Sequence, residues 1–492
     1  MRLRISILLL LFLAVGCAPS ARLTFPYRRL VVSSKPQWFS VHHHHDFGIT
    51  FKNGRMDALL YDDNGDGKPD RVYHLRDYNP KNLPHFVLLL DSIPFKTMAD
   101  RYAAGEFRWF DPPVKVIPPF PSLTKICYTQ VLHAPPTEGM IDDYYNPAKG
   151  RVHSGFADRW IGGYREPWEH YLDYSANFAD ASEAYLFPRP WYAAELERAH
   201  KEFDESNRRT TVVYLASASC MVCRYGKEGA NEVLDGAARL CLQLLYEREG
   251  AVEISMMADH GHNYMLSKNI DVAKILKEDG FHITDHLRTD NDVIPELSGL
   301  VTYAGIDTRD PVRVSDALLR IHGIEHTFYM SGDSVIVRDC HGYAKIDAKG
   351  KLLRYTAVTS DVLGYKLIIQ LLRQHHKIDS AGFASPLAWF HATVNAEYPD
   401  APPRLWYAFH GEAVHTPSLM FTTLDGYCAG LPYLKAFITM HSTHGSLNQV
   451  NSATFLVSMT HRTHGPLRSI DVMPTIAPHY ISIPRRHVTD SP

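Results

Sequence analysis

The stretch Val252-Glu253-Ile254-Ser255-Met256-Met257-Ala258-Asp259-His260-Gly261-His262 decides how the rest of the chain is read. A short apolar run that stops at a carboxylate and an imidazole is the pattern of a buried strand whose C-terminal tip carries chemistry. In an open α/β sheet, ligands gather at that edge. An Asp-His pair alone is a weak signal, because a loop histidine is more often solvated or capping. Its weight comes from what else the chain sends to the same edge.

Working outward, further buried-strand patterns end in the same way. Phe86-Val87-Leu88-Leu89-Leu90 runs into Asp91, and Thr211-Val212-Val213-Tyr214-Leu215 runs into a loop holding Ser219, Cys220 and Cys223. Ala436-Phe437-Ile438-Thr439-Met440 leads to His441-Ser442-Thr443-His444-Gly445. Between the second strand and the Asp259 strand, Lys227 to Glu249 reads as an amphipathic helix, with Val233, Ala237, Leu240, Leu244 and Leu245 at three- and four-residue spacing. Strands alternating with helices predict an α/β three-layer sandwich around a mainly parallel sheet. From about 311 to 360, a helix near Val314 to Ile321 gives way to short alternating segments with turns at Ser331-Gly332-Asp333 and Asp347-Ala348-Lys349-Gly350, which reads as a small β-rich insertion. Residues 18–83 read as an N-terminal β segment and 84–480 as the main domain.

Composition excludes several classes. The chain has 492 residues, a formal net charge of -3 and 21% charged residues, so the basic surplus of a nucleic-acid binder is missing and no nucleic-acid partner is expected. The opening Met1-Arg2-Leu3-Arg4, the apolar run Ile5 to Val15 and the close Leu13-Ala14-Val15-Gly16-Cys17 resemble a bacterial lipoprotein signal. The resemblance implies that residues 1–16 are removed, that Cys17 is lipidated, and that the mature protein is anchored to a membrane in the cell envelope, on its periplasmic or extracellular face.

The chain also carries the marks of a known group. Phe120-Pro121-Ser122-Leu123-Thr124 with Tyr128-Thr129, then Glu138-Gly139-Met140-Ile141-Asp142-Asp143-Tyr144-Tyr145-Asn146, Tyr225-Gly226, and Arg468-Ser469-Ile470-Asp471-Val472-Met473-Pro474-Thr475 resemble, in order, segments of the alkaline phosphatase superfamily. Within it they are similar to the type I phosphodiesterase and nucleotide pyrophosphatase branch. The resemblance implies an alkaline phosphatase-like fold and a metal-dependent hydrolase of phosphoric esters. Thr124 would be the nucleophile, and one metal would be held by Asp91, Thr124, Asp259 and His260, with a small-molecule phosphoester as substrate. Such chemistry needs negative charge neutralised, an activated oxygen and help for the leaving group, all of which metal ions supply.

At the second metal position the chain departs from that pattern. Where the family carries an aspartate and a histidine stand Ser219 and Cys223, leaving His444 in place. Cys223 with His444, and Cys220 beside it, could rebuild a thiolate zinc site; alternatively Cys220 and Cys223 form a disulfide or lie inert. The expected zinc content is therefore one or two. Alternative readings are a one-metal esterase or phosphoryl-type transferase, and a catalytically degenerate, lipid-anchored binding protein of the same fold. His262 and His441 lie near the edge, and spacing assigns neither a role.

Two further features have double readings. Asp62, Asn64, Asp66 and Asp70 are spaced like the start of a calcium loop, although Tyr73 occupies the twelfth position where a glutamate is needed, and the same residues make an ordinary hairpin turn. Trp160, Trp168 and Trp191, in the aromatic-rich stretch 146–210, could stack a base or sugar or pack a core.

Overall fold

The computed structural model describes residues 25–480, apart from 43–44, 156–157, 160–162, 298, 431–438 and 461–464. The signal segment and Cys17 lie outside the described residues, as do Trp160 and most of the strand expected at Ala436–Met440. Thr439 and Met440 are described, and they are not in a strand.

Fold formation starts from the runs read above. His85–Leu90, Thr210–Leu215 and Glu253–Ala258 pair in parallel, with His85–Leu90 in the middle. Every residue of His85–Leu90 and of Glu253–Ala258 is buried. Strands covered on both faces have no polar alternation to preserve, which is why they read as continuous apolar runs. Thr454–Ser458 joins antiparallel to Glu253–Ala258, Val114–Ile117 joins antiparallel to it in turn, and Leu467–Arg468 pairs in parallel with Val114–Ile117. One strand of this six-stranded sheet therefore runs against the rest.

Side chains alternate across the sheet, and each face has its own core. Phe86, Leu88 and Leu90 pack with Leu196, Phe203, Val233, Ala237 and Leu240 from the helices Pro188–Glu205 and Ser217–Glu247. Val87 and Leu89 pack with Tyr128 and Val131 of the helix Thr124–Val131 and with Val472, Met473 and Ile476 near the C-terminus. Helices on both sheet faces make three layers, an α/β sandwich as expected. The helix expected to begin at Lys227 begins at Ser217; Gly226 interrupts it with a φ of 56°. That left-handed backbone suits glycine, because a Cβ there would come 3.3 Å from the His441 carbonyl.

The stretch 311–360 holds a helix, Pro311–Leu318, and the strands Ile324–Ser331, Ser334–Asp339, Gly342–Lys349 and Leu352–Ala357. These strands do not form a sheet of their own. Ile324–Ser331 pairs with Leu419–Thr423, which pairs with Tyr303–Thr308, so the four complete an eight-stranded, almost wholly antiparallel sheet. Near the N-terminus, Gln37–His42, His45–Lys52, Arg55–Asp62 and Arg71–His74 form a four-stranded meander. Its Phe47 and Tyr61 pack on Tyr246 of the long helix.

Among the described residues, no helix is long and apolar enough to cross a membrane. Trp168 and Trp191 are buried, and Trp168 stacks on Tyr128 at 5.5 Å, so both pack the core.

Candidate active site

Three parallel strands end level with one another. Leu90 is in register with Leu215 on one side and Ala258 on the other, so the next residues, among them Asp91 and Asp259, leave the sheet at one edge. Val114–Ile117 runs toward the same edge and delivers Pro118 to Thr124, where the helix Thr124–Val131 begins. Thr124 therefore stands at a helix N-terminus, where the backbone dipole favours an anionic group. Thr454–Ser458 runs the opposite way, which sets the loop before it, with His444, over the same edge.

These elements converge. Thr124 Oγ1 lies 3.2 Å from Asp91 Oδ2 and 3.5 Å from His260 Nε2. His260 Nε2 lies 3.2 Å from Asp259 Oδ2 and 4.0 Å from Asp91 Oδ1. Asp91, Asp259 and His260 are buried, and ligand atoms from the three lie within 4.8 Å of one another.

The second layer fixes their orientation. Tyr214 OH donates to Asp91 Oδ2 at 2.5 Å, and burial, reinforced by the Asp91 charge, holds its phenol well above the usual range, so it stays a donor. Asp259 Oδ1 accepts from the backbone N–H groups of Ser92 at 3.0 Å and His260 at 2.9 Å. Ser92 turns its N–H there by adopting a φ of 71°, a strained conformation for a non-glycine residue. His260 Nδ1 donates to the Gly261 carbonyl at 3.1 Å, which leaves the lone pair on Nε2.

That lone pair faces Asp259 Oδ2, a buried oxygen with no hydrogen-bond partner among the described residues. Burial, and then the Asp91 charge, raises the Asp259 carboxyl well above the usual range, while burial pushes the His260 imidazole down to about 3. A neutral imidazole and a carboxylate meeting lone pair to lone pair repel; a proton or a cation between them makes the contact attractive. The donor set of carboxylates, a hydroxyl and an imidazole suits a divalent metal, including zinc.

The positions offered for a second metal are arranged differently. Ser219 Oγ lies 3.2 Å from Ser92 Oγ and 4.0 Å from Cys223 Sγ. Cys223 packs with Leu300, Cys428 and Met440 in an apolar cluster, and burial pushes its thiol up to about 12. Cys220 and Cys223 are free thiols, so the disulfide alternative is not what the structure contains. His444 shares no metal-ligand cluster with Cys223 among the described residues. It stacks on His260 at 4.0 Å and lies 4.7 Å from the His262 ring, and the cluster it joins is His260, His262 and His444. His441 is tied by its backbone N–H to the Cys223 carbonyl at 2.8 Å, and its side chain is exposed.

Sequence reasoning used Tyr214 as a strand residue and as a point of alignment for Ser219 and Cys223, gave it no part in the site, and passed over Arg404. The Arg404 guanidinium is buried, and it donates to Ser122 Oγ at 2.9 Å, the Pro119 carbonyl at 3.3 Å, the Leu447 carbonyl at 2.9 Å and Ser452 Oγ at 2.8 Å. It thereby joins the loop before Thr124 to the loop after His444, and the Ser122 carbonyl in turn accepts from His444 Nδ1 at 3.0 Å. The one sequence signal for Tyr214 was a tyrosine in a fully apolar strand, because a buried phenol needs a partner.

The loop Asp62–Asp70 is a hairpin turn that satisfies its own acids. Asp62 accepts from the N–H groups of Gly65, Asp66 and Gly67 at 2.7–3.2 Å, and Asp70 accepts from those of Asp63 and Asn64 at 2.8–3.2 Å. Asn64 Oδ1 and Asp66 Oδ1 accept from the N–H groups of Asp66 and Lys68 at 2.8 and 2.9 Å. Calcium at these positions would have to share those oxygens with the backbone.

No protein-family model matches the sequence, and no curated protein matches it. Among solved structures, the chain is similar to murine ectonucleotide pyrophosphatase/phosphodiesterase 5, with 10% identity over 82% of this chain and 96% of that chain and a TM-score of 0.43. It is also similar to phosphonoacetate hydrolase from Sinorhizobium meliloti 1021, in complex with phosphonoformate, with 11% identity over 82% of this chain and 95% of that chain and a TM-score of 0.42. At this level of likeness neither protein lends the chain a family or an activity.

Proposed function

We propose that the chain is a metal-dependent hydrolase of phosphoric esters, of the phosphodiesterase or pyrophosphatase kind, in the alkaline phosphatase superfamily. Thr124 is its nucleophile. The observation that carries this reading is the meeting of Thr124 Oγ1, Asp91, Asp259 and His260 at one sheet edge, with 3.2–4.0 Å between their polar atoms.

Asp91, Asp259, His260 and Thr124 would hold the ion, zinc being the natural choice for this set. Once bound, the ion supplies Lewis acidity, neutralising charge on the phosphoryl oxygens and making the threonine hydroxyl more acidic. The chain's own groups do the rest. Thr124 Oγ1 donates toward Asp91 Oδ2, which turns an oxygen lone pair toward an incoming phosphorus, and Tyr214 OH keeps that carboxylate from rotating. The first dipoles of the helix Thr124–Val131 favour the anionic group being transferred. Attack by Oγ1 forms a bond to phosphorus as the ester oxygen departs with a proton, and water then cleaves the Thr124 ester to regenerate the hydroxyl. Lipidation of Cys17 would tether the enzyme in the cell envelope, facing small phosphoesters outside the cytoplasm.

One observation favours a second reading, binding without turnover: Ser219 and Cys223 offer a neutral hydroxyl and a buried, protonated thiol in place of an aspartate and a histidine. A single assay separates the two. Protein stripped by a chelator and reloaded with zinc should hydrolyse bis(p-nitrophenyl) phosphate. The Thr124→Ala variant should bind zinc and yet lose activity by about a thousandfold or more, the scale for removing one member of a catalytic unit. Wild-type turnover in Thr124→Ala would refute the nucleophile. Zinc uptake with no hydrolysis by the wild type would favour the binding protein.

A further inference from the structure

His262 takes no part in the Thr124 chemistry, yet it is 1% exposed and its Nε2 is a buried polar atom without a hydrogen-bond partner among the described residues. Leaving such an atom unpaired is destabilising, so its placement asks for a reason. Its Nδ1 is 2.6 Å from Ser442 Oγ, which also accepts from the Tyr264 N–H at 2.9 Å. A hydroxyl oxygen has two lone pairs, enough to take both donors, and in that tautomer the His262 lone pair is on Nε2.

The neighbouring rings are pinned in the same sense. His444 Nδ1 faces the Ser122 carbonyl at 3.0 Å and His260 Nδ1 faces the Gly261 carbonyl at 3.1 Å. A carbonyl can only accept, so both rings carry their proton on Nδ1 and their lone pair on Nε2. Anchoring Nδ1 on an oxygen is how a metal-ligating histidine is commonly oriented. Ligand atoms of His260, His262 and His444 lie within 4.8 Å of one another.

We propose that the second divalent-metal position of this chain is built on His262 and His444, beside His260, and not on Ser219 and Cys223. The inference rests on the Thr124 reading for the first ion, which takes His260; the second takes the Nε2 atoms of His262 and His444, with its other positions left to water and substrate oxygens. An all-imidazole pair selects zinc, cobalt or nickel over magnesium and calcium, which prefer oxygen. The two positions are thus of different chemical class, the first rich in oxygen and the second in nitrogen.

The test is metal content by mass spectrometry after zinc loading, with cobalt absorption spectra as a second readout, on folded full-length protein. Wild type should bind two zinc ions per chain, His262→Gln one, Asp259→Asn one, and Cys223→Ala two. Magnesium alone should not fill the second position. Ser442→Ala, which unpins Nδ1 and also takes the acceptor from the Tyr264 N–H, should weaken zinc binding at the second position by about 10–100-fold and guards against a misfolded His262→Gln. Two ions retained in His262→Gln, or one lost in Cys223→Ala, overturns the inference. A single ion that Asp259→Asn removes and His262→Gln leaves overturns it while keeping the Thr124 reading. A single ion that only His262→Gln removes does the reverse.

Discussion

The two flanks of the strand-end cleft share a scaffold and differ in chemistry. On one flank, Asp91, Asp259, His260 and Thr124 bring acids, an imidazole and a hydroxyl together, braced by Tyr214 and the Ser92 turn. On the other, the helix Ser217–Glu247 begins level with the same edge, yet it presents Ser219 and a thiol embedded in an apolar cluster. The difference teaches that the sheet determines where ligands can stand, while the residues there decide whether an ion is held. On the proposal above, nitrogen for a second ion would come from the loop after the Asp259 strand, through His262, and not from this helix.

If the first flank alone carries the chemistry, damage there should far exceed damage on the second. Asp259→Asn removes a buried ligand charge and should lower phosphodiester turnover by about a thousandfold or more, together with loss of one zinc; turnover within tenfold of wild type would break the comparison. Tyr214→Phe removes a single outer hydrogen bond and should lower zinc affinity or kcat by about 10–100-fold, measured with unchanged folding by circular dichroism. An unaffected Tyr214→Phe would mean that Asp91 is positioned by its strand alone.

The smallest effect on activity is expected at Glu195, which accepts from Ser217 N–H at 2.7 Å at the start of the helix on the second flank. Burial raises its carboxyl from 4.5 to about 7. The native protein therefore keeps a proton there that the unfolded chain has already released between those two values, and stability falls as pH rises through that window. Glu195→Gln, which can accept the same bonds without charge, should match wild type at pH 4 and exceed it by about 2–3 kcal/mol at pH 8 in urea unfolding, with turnover unchanged. An equal stability difference at both pH values would show that folding does not shift the Glu195 carboxyl.

Legibility followed the range of the contacts. Phe86 to Leu90 and Val252 to Ala258 could be read because a buried parallel strand is an uninterrupted apolar run whose end is marked by an acid. Asp91 and Asp259 stand at those marked strand ends, while the grouping of Asp91, Thr124, Asp259 and His260 was implied by the family resemblance; the structure brings the four side chains together. The eight-stranded sheet was not legible as a whole. Leu419–Thr423 pairs with Ile324–Ser331 and Tyr303–Thr308 from about a hundred residues earlier, and no local pattern encodes such a partner. Arg404 was missed for the same reason: its partners at Pro119, Ser122, Leu447 and Ser452 come from two distant loops. The role proposed for His262 needed the third dimension, since neither the closeness of the three rings nor the oxygens facing their Nδ1 atoms is written in local sequence.

The most direct test of the central claim is to catch the bond that Thr124 is held to form. Zinc-loaded protein mixed with a slow phosphodiester, quenched in acid within one turnover and digested, should yield a peptide spanning Thr124 that carries the phosphoryl-ester mass on that residue, and the Thr124→Ala variant should yield none. An adduct on another residue, or steady turnover with no adduct at any time, would contradict the account.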